Sequence, residues 1–253
     1  MTITGIIGGS GLDNPEILES PEDLHFDTPY GPPSSPLRRG RIQGQEVILL
    51  ARHGREHTIP PGGINNRANL YALKAAGCTR IIATAACGSL QENLEPGSLV
   101  LPDQLIDFTR HRIVTFHKTF EPGIENARHA HMAEPFSPHI REILKTTAEE
   151  EDIRLHDGAT LLTIEGPRFS TRAESRMFRI WGADLVNMTV APEAILATEL
   201  EIPYAVVAMV TDYDSWKDDA PPLIVEEIIK IFKGNVTKLV RLLTRSLPRF
   251  YGA

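Results

Sequence analysis

The chain has 253 residues, 42% hydrophobic and 23% charged, with 19 Gly and 19 Pro, a profile that excludes disorder and collagen-like structure. A chain of this length hides roughly 70–75% of its unfolded surface, so one domain spanning 1–253 is expected to hold together without disulfide or metal staples. A balance of 26 basic against 33 acidic residues leaves a net charge of -7, which argues against a nucleic-acid surface, and no apolar run approaches the ~20 residues that a bilayer-spanning helix needs.

In chain order, Thr2–Ile7 reads as a strand. It lacks the basic flank and cleavage site of a secretory leader, so export is not expected. Gly8-Gly9-Ser10-Gly11 follows at once, in the position where glycines let backbone amides close round a phosphate. The dinucleotide pattern G-x-G-x-x-G fails at Asn14, and the hydrolase elbow G-x-S-x-G fails at Leu12. Tyr30–Pro36 reads as a loop and Glu46–Ala51 as a buried strand. Off the end of that strand come Arg52, His53, Arg55 and His57, at the kind of strand edge where ligands settle in open α/β sheets. An anion site or a solvated charged loop both fit. A metal pair at His53 and His57 would need a helix, which Gly54 and Pro60-Pro61 disfavour.

Asn66–Ala76 reads as a helix closed by Gly77, and Arg80–Ala86 as a strand that ends at Cys87. Two cysteines, Cys78 and Cys87, fit a reducing cytoplasm better than an exported, disulfide-bonded protein. Ser98–Leu101 is another short strand, and His111–Met132 a long His-rich loop; such loops are often functional. Ser137-Pro138 opens a helix to about Glu151, and Ala159–Ile164 is a strand followed by Glu165-Gly166-Pro167-Arg168-Phe169. Thr171 and Glu174 form a capping box that opens a helix closed by Gly182. Asp184–Met188 is a strand, with a short helix after Pro192. The apolar strand Tyr204–Thr211 leads into Asp212-Tyr213-Asp214, whose two carboxylates share a face if the chain stays extended. Paired, buried carboxylates resist ionisation, so one of them is a candidate proton donor; a turn that caps the next element is the plain alternative. Leu223–Leu247 reads as a long terminal helix, loosened near Gly234. Strands alternating with helices predict an α/β fold, a twisted mixed β-sheet covered by helices on both faces.

Seven motifs in order resemble the trimeric purine nucleoside phosphorylase family over nearly the whole chain. They are GIIGGSGL from Gly5, LLARHGREHTIPP from Leu49, ACGSL from Ala86, MAEPF from Met132, TIEGPRFSTRAES from Thr163, NMTVAPE from Asn187 and TDYDSWK from Thr211. The resemblance implies that phosphate is held by Ser10, Arg52, His53, the Ala86 amide and Thr189. It implies that Phe169 packs on a purine, that Met188 lies beneath the ribose, and that Ser170, Asp212 and Asp214 face the purine edge. His57, and His129 from a neighbouring subunit, would lie near the 5' end. Ala85 departs from the family pattern, where Thr is usual, with Thr84 beside it.

By the same resemblance the activity is reversible phosphorolysis of 5'-methylthioadenosine to adenine and 5-methylthioribose 1-phosphate, in a cytoplasmic homotrimer. Asp212 and Asp214 would be the catalytic pair, phosphate the co-substrate, and no metal or organic cofactor is expected. Where general purine nucleoside phosphorylases place a His near the 5'-hydroxyl, this chain offers Val225 and Ile228, which at i, i+3 share one helix face and suit an apolar methylthio group. The rival readings are the same fold acting on 6-oxopurines, including methylthioinosine, and a non-catalytic nucleoside-binding sensor. A serine hydrolase is disfavoured by Leu12.

Overall fold

The computed structural model describes residues 2–8, 17–217 and 225–251, with only the backbone described for 225–230, 232 and 233. Its strands are β1 (Ile3–Gly8), β2 (Glu19–Leu24), β3 (Leu37–Ile42), β4 (Gln45–Ala51), β5 (Cys78–Ser89), β6 (Leu99–Leu101), β7 (Gln104–Phe108), β8 (Leu155–Asp157), β9 (Thr160–Ile164), β10 (Leu185–Asn187) and β11 (Tyr204–Tyr213). The helices are α1 (Asn66–Ala75), α2 (Pro138–Glu150), α3 (Arg172–Ile180), α4 (Val190–Glu199) and α5 (Val225–Tyr251).

The sheet is mixed, as expected. Along its main path the order is β2-β3-β4-β1-β5-β10-β9-β7, and β11 joins β5 to β6, which in turn pairs with β8. Strands β4, β1, β5 and β11 are mutually parallel, while the β2-β3-β4 edge is antiparallel. Adjacent residues of the central strands go to opposite cores: Ile7, Ile81 and Val206 pack with Leu70 and Leu73 of α1 and Val190 and Leu196 of α4. Ile6, Ile82 and Val207 pack with Ile140 and Leu144 of α2 and Leu239 and Leu243 of α5. Both faces are therefore buried, which is why these strands read as continuous apolar runs and not as alternating ones.

The helix ends follow their sequence signals. Asn65 accepts from the Ala68 amide to cap α1, which Gly77 closes at φ +89°. Thr171 and Glu174 make the reciprocal capping box at α3, with Thr171 Oγ1 accepting from the Glu174 amide at 3.1 Å and Glu174 Oε2 accepting from the Thr171 amide at 2.8 Å. Helix α5 differs from expectation: it runs unbroken through Gly234, because the residues beyond it, Leu239 to Leu247, are anchored in the core. Strands β2, β3, β7 and β8 carry no apolar run in the sequence. β2 is an exposed edge paired antiparallel to β3, with Asp23 opposite Arg38 and bonded to it at 2.9 Å; Glu22 lies opposite Arg39, whose own ion pair is to Glu46 of β4.

Strand β5 decides where a site can form. On one edge it pairs with β1 over Cys78–Ala83 and with β10 over Gly88 and Ser89. Between those two partners, Thr84–Cys87 meet no described strand on that edge, while β11 runs along the other. The gap exposes backbone polar groups at the middle of a buried sheet, and such groups need partners.

Candidate active site

A cavity of about 500 Å³ opens at this gap. It is lined by Thr84 to Gly88 of β5, by Arg52, His53 and His57 after β4, by Met188 and Thr189 between β10 and α4, by Phe169 before α3, and by Asp212 and Asp214 at the end of β11. Residues from five sequence segments thus converge, among them most of those singled out from the sequence.

On the anion side, Arg52 is almost wholly buried and grips Glu193 through two bonds, with Nε to Oε1 at 2.5 Å and Nη2 to Oε2 at 3.0 Å. Its Nη1 donates to the Thr84 carbonyl at 2.8 Å. That bond shows the Thr84 carbonyl facing the gap. Backbone groups of a strand alternate between its edges, so the Ala86 amide faces the gap as well. The Cys87 carbonyl takes the other side, 3.3 Å from Thr211 Oγ1. His53 Nδ1 lies 2.8 Å from the Ile59 carbonyl. A carbonyl only accepts, so Nδ1 carries the proton and the neutral ring keeps Nε2 as an acceptor. Burial pushes the His53 pKa down to about 4; the Ile59 bond opposes this, and the charges of Arg52 and His57 add to it.

Thr189 opens α4, and its placement comes from Asn187. The Asn187 carboxamide oxygen accepts from the Thr189 and Val190 amides at 2.8 and 2.9 Å, while its nitrogen donates to the Leu162 carbonyl and Thr163 Oγ1, each at 3.0 Å. One buried amide so caps the helix and ties it to β9. The N-terminal end of a ten-residue helix, with its partial positive charge, is left at the cavity.

On the acid side, β11 departs from regular register between Val210 and Asp212, so that Val210 pairs with Cys87 and Asp212 with Gly88. Irregularities of this kind re-aim side chains. Here Asp212 Oδ1 accepts from the Thr211 hydroxyl at 2.6 Å, and a Cβ at Gly88 would lie 3.2 Å from Asp212 Oδ2 and 3.3 Å from Asp214 Cβ. Gly88 is what lets the carboxylates come so close to β5. Burial pushes the Asp212 carboxyl up to about 6, opposed by the Thr211 hydroxyl and aided by Asp214. Asp214 is also raised, chiefly by burial, against the pull of the Ser175 hydroxyl, the Ser215 amide and the Ser170 hydroxyl. Both carboxylates line the cavity, as their i, i+2 spacing predicted.

Phe169 is half exposed at the cavity. Met188 is seated by a contact that only glycine allows: Gly166 has φ +64°, and a Cβ there would fall 2.6 Å from Met188 Sδ. Arg112, from the start of the long loop, donates to the Glu165 and Met188 carbonyls and to Glu165 Oε1. Burial raises the Glu165 carboxyl, but the Arg110 amide, the Arg112 guanidinium and the His111 amide outweigh it and hold its pKa at about 2.

The other sequence-predicted residues fall elsewhere. Ser170 is buried behind the cavity, next to Asp214. His129 does not line the cavity of its own chain; its ring lies 6.0 Å from Phe120 in the long loop. Ser10 lies outside the described residues, as do the side chains of Val225 and Ile228. Sequence reasoning missed Glu193, Tyr204 as its partner, Gly88, Asn187 and Arg112. Glu193 had a signal: a lone acid in the apolar run Val190 to Leu196 is rarely buried unless paired.

Residues 3–248 match the model of the phosphorylase superfamily. The S-methyl-5'-thioadenosine phosphorylase of Danio rerio is 48% identical over 248 residues, covering 97% of this chain and 88% of that one, and the enzyme of the same name from Drosophila melanogaster is 47% identical over 245 residues, covering 97% and 85%. Among solved structures, the methylthioadenosine phosphorylase of Schistosoma mansoni in complex with adenine superposes with a TM-score of 0.94 at 38% identity, covering 100% of this chain and 93% of that one. A variant of the Schistosoma enzyme in complex with methylthioadenosine superposes at 0.92 and 37%, with the same coverage.

Proposed function

The chain belongs to the phosphorylase superfamily, and from that premise we infer that it catalyses the reversible phosphorolysis of 5'-methylthioadenosine to adenine and 5-methylthioribose 1-phosphate. The observation that carries this reading is one cavity holding both a buried cation with a neutral imidazole and a carboxyl pair whose first member resists ionisation. Breaking the C1'–N9 bond builds positive charge on the ribose and negative charge on the purine, and catalysis means stabilising both. Phosphate attacks C1' as the bond to N9 breaks, and the bonding electrons pass into the purine ring. Asp212, protonated, donates to N7, and Asp214 supports it from the 6-amino side. Phosphate is consumed as co-substrate, and the balance needs no further reactant.

Within this reading, Ser10, Arg52, His53, the Ala86 amide and Thr189 hold phosphate, and the edge shared by Thr84 and Ala86 supports the amide's part in it. Phe169 and Met188 hold the base and ribose, with Ser170 acting through Asp214 and His57 near the 5' end. Val225 and Ile228 would give the 5' pocket an apolar wall. We place the chain in the cytoplasm as a single phosphorylase domain. Both cysteines are buried thiols, and no described helix is long and apolar enough to cross a membrane.

The test measures base release from methylthioadenosine and methylthioinosine with and without phosphate. Adenine release that needs phosphate, or arsenate in its place, is expected. Equal rates without it would make the protein a hydrolase; binding without turnover would make it a sensor; preference for methylthioinosine would move it to the 6-oxopurine branch.

A further inference from the structure

We propose that Glu193 is the positioning residue of the phosphate subsite: seated edge-on against Arg52 and steadied by Tyr204, it sets the orientation in which the guanidinium meets the incoming anion. This rests on the phosphorolysis reading above. Glu193, Arg52 and Tyr204 are 1%, 1% and 2% exposed. The carboxylate engages Arg52 through both oxygens, and the Tyr204 hydroxyl donates to Oε2 at 2.8 Å. Tyr204 is itself held by ring stacking on Phe136, centroids 6.2 Å apart. Burial, with the charge of Glu193 adding to it, raises the Tyr204 phenol well above its ordinary value, so it remains a donor throughout the working pH range.

Stability does not account for this arrangement. A buried ion pair is often no better than well-packed apolar side chains of similar volume, since two charges must be stripped of water to make it. What the pair supplies that apolar packing cannot is a fixed plane for a planar, forked donor. Arg52 is fixed by Glu193 behind the head, by the Thr84 carbonyl beside it, and by its own amide on the Gly8 carbonyl at 3.0 Å. The arrangement also has an electrostatic cost to phosphate, because the negative carboxylate offsets the charge of Arg52. Orientation and net charge therefore predict opposite outcomes when the carboxylate is neutralised.

The experiment is steady-state kinetics of Glu193→Gln, Tyr204→Phe and the double variant, with phosphate and methylthioadenosine varied separately and folding checked by thermal melts. If Glu193 orients Arg52, the phosphate KM of Glu193→Gln rises about tenfold, the scale of one charge-assisted hydrogen bond, although the site has gained positive charge. Tyr204→Phe, which keeps the ring and its packing, raises it by a smaller factor, roughly two- to fourfold, because Arg52 keeps both carboxylate oxygens and loses only the bond that steadies them. The nucleoside KM stays within about twofold in both, and Tyr204→Phe adds less in the Glu193→Gln background than it does alone, because part of its effect passes through the carboxylate. An unchanged or lowered phosphate KM in Glu193→Gln overturns the proposal, and so does an equal rise in both KM values. If Glu193→Gln does not fold, Tyr204→Phe decides alone, and an unchanged phosphate KM overturns the proposal. Base release by the parent protein without phosphate would instead overturn the phosphorolysis reading.

Discussion

Burial pushes the Asp212 carboxyl from 3.8 to about 6, and this residue sets activity against stability. Between those values the unfolded chain has released its proton and the folded chain has not, so stability falls as pH rises through the window, and above about 6 the full cost, at most about 3 kcal/mol, is present. Asp212→Asn removes that titration. Thermal melts at pH 7.5 should show the variant more stable than the parent, with the gap closing towards pH 4, and an unchanged melting point at pH 7.5 would show that the carboxylate is not desolvated. The same variant should lose at least about a hundredfold in kcat on methylthioadenosine, the usual worth of a general acid. Gly88 provides a second test beside it. A methyl group there meets Asp212 Oδ2 at 3.2 Å and Asp214 Cβ at 3.3 Å, so the carboxylates must move by a few tenths of an ångström. Gly88→Ala should then lower kcat/KM about tenfold, since small displacements of positioned groups are costly, while its melting point changes little. A fully active Gly88→Ala would show that the pair tolerates displacement.

Two helix starts are capped in different ways, and each cap is tied to a different part of the site. Helix α3 is capped from within its own sequence by Thr171 and Glu174, two residues after Phe169. Helix α4 is capped by Asn187, whose side chain also bonds to β9. Thr171→Ala should cost about 1 kcal/mol of stability, the usual worth of a cap, and should leave the phosphate KM where it was. Asn187→Ala should cost about 2–4 kcal/mol, because it removes the cap and strands buried partners, and should raise the phosphate KM as Thr189 loses its register. Denaturation and phosphate titrations on both variants check this contrast. Equal phosphate KM values in the two would detach Thr189 from phosphate. The α3 box is visible in the sequence as T-x-x-E, whereas nothing adjacent to Asn187 announces its role, since its partners Leu162 and Thr163 lie on another strand.

At the scale of the whole molecule, the long loop carries exposed apolar side chains: Ile124 is 89% and Phe120 45% exposed. Phe120 lies against His129, away from the cavity of its own chain. A second copy of the chain would cover those groups and bring His129 to a neighbouring site, as the homotrimer reading requires. Sedimentation should give three chains per particle. Subunits carrying Asp212→Asn, once exchanged with subunits carrying His129→Ala, should recover activity that neither has alone, because some sites then combine an intact Asp212 with a neighbour's intact His129. A fully active monomer would refute the arrangement.

The sequence by itself determined the elements whose cause is local or is repeated along the chain: the apolar runs of β1, β4, β5 and β11, the caps of α1 and α3, and the i, i+2 spacing of Asp212 and Asp214. Its ordered motifs also led to the family. Tertiary structure decided everything that depends on a partner distant in the chain. Strand β2 depends on its pairing with β3, where Asp23 meets Arg38, and α5 passes Gly234 unbroken because Leu239 to Leu247 are held by the core. Arg52 is visible in the sequence as a cation at a strand end, but its pairing with Glu193, 141 residues away, is not. Among the described residues, the gap along β5 lies between the β1 pairing, which runs to Ala83, and the β10 pairing, which begins at Gly88. The physical reason is that hydrophobic period and capping act within a few residues, whereas the orientation of a buried charge and the close approach of two backbones depend on contacts that exist only once the sheet has formed.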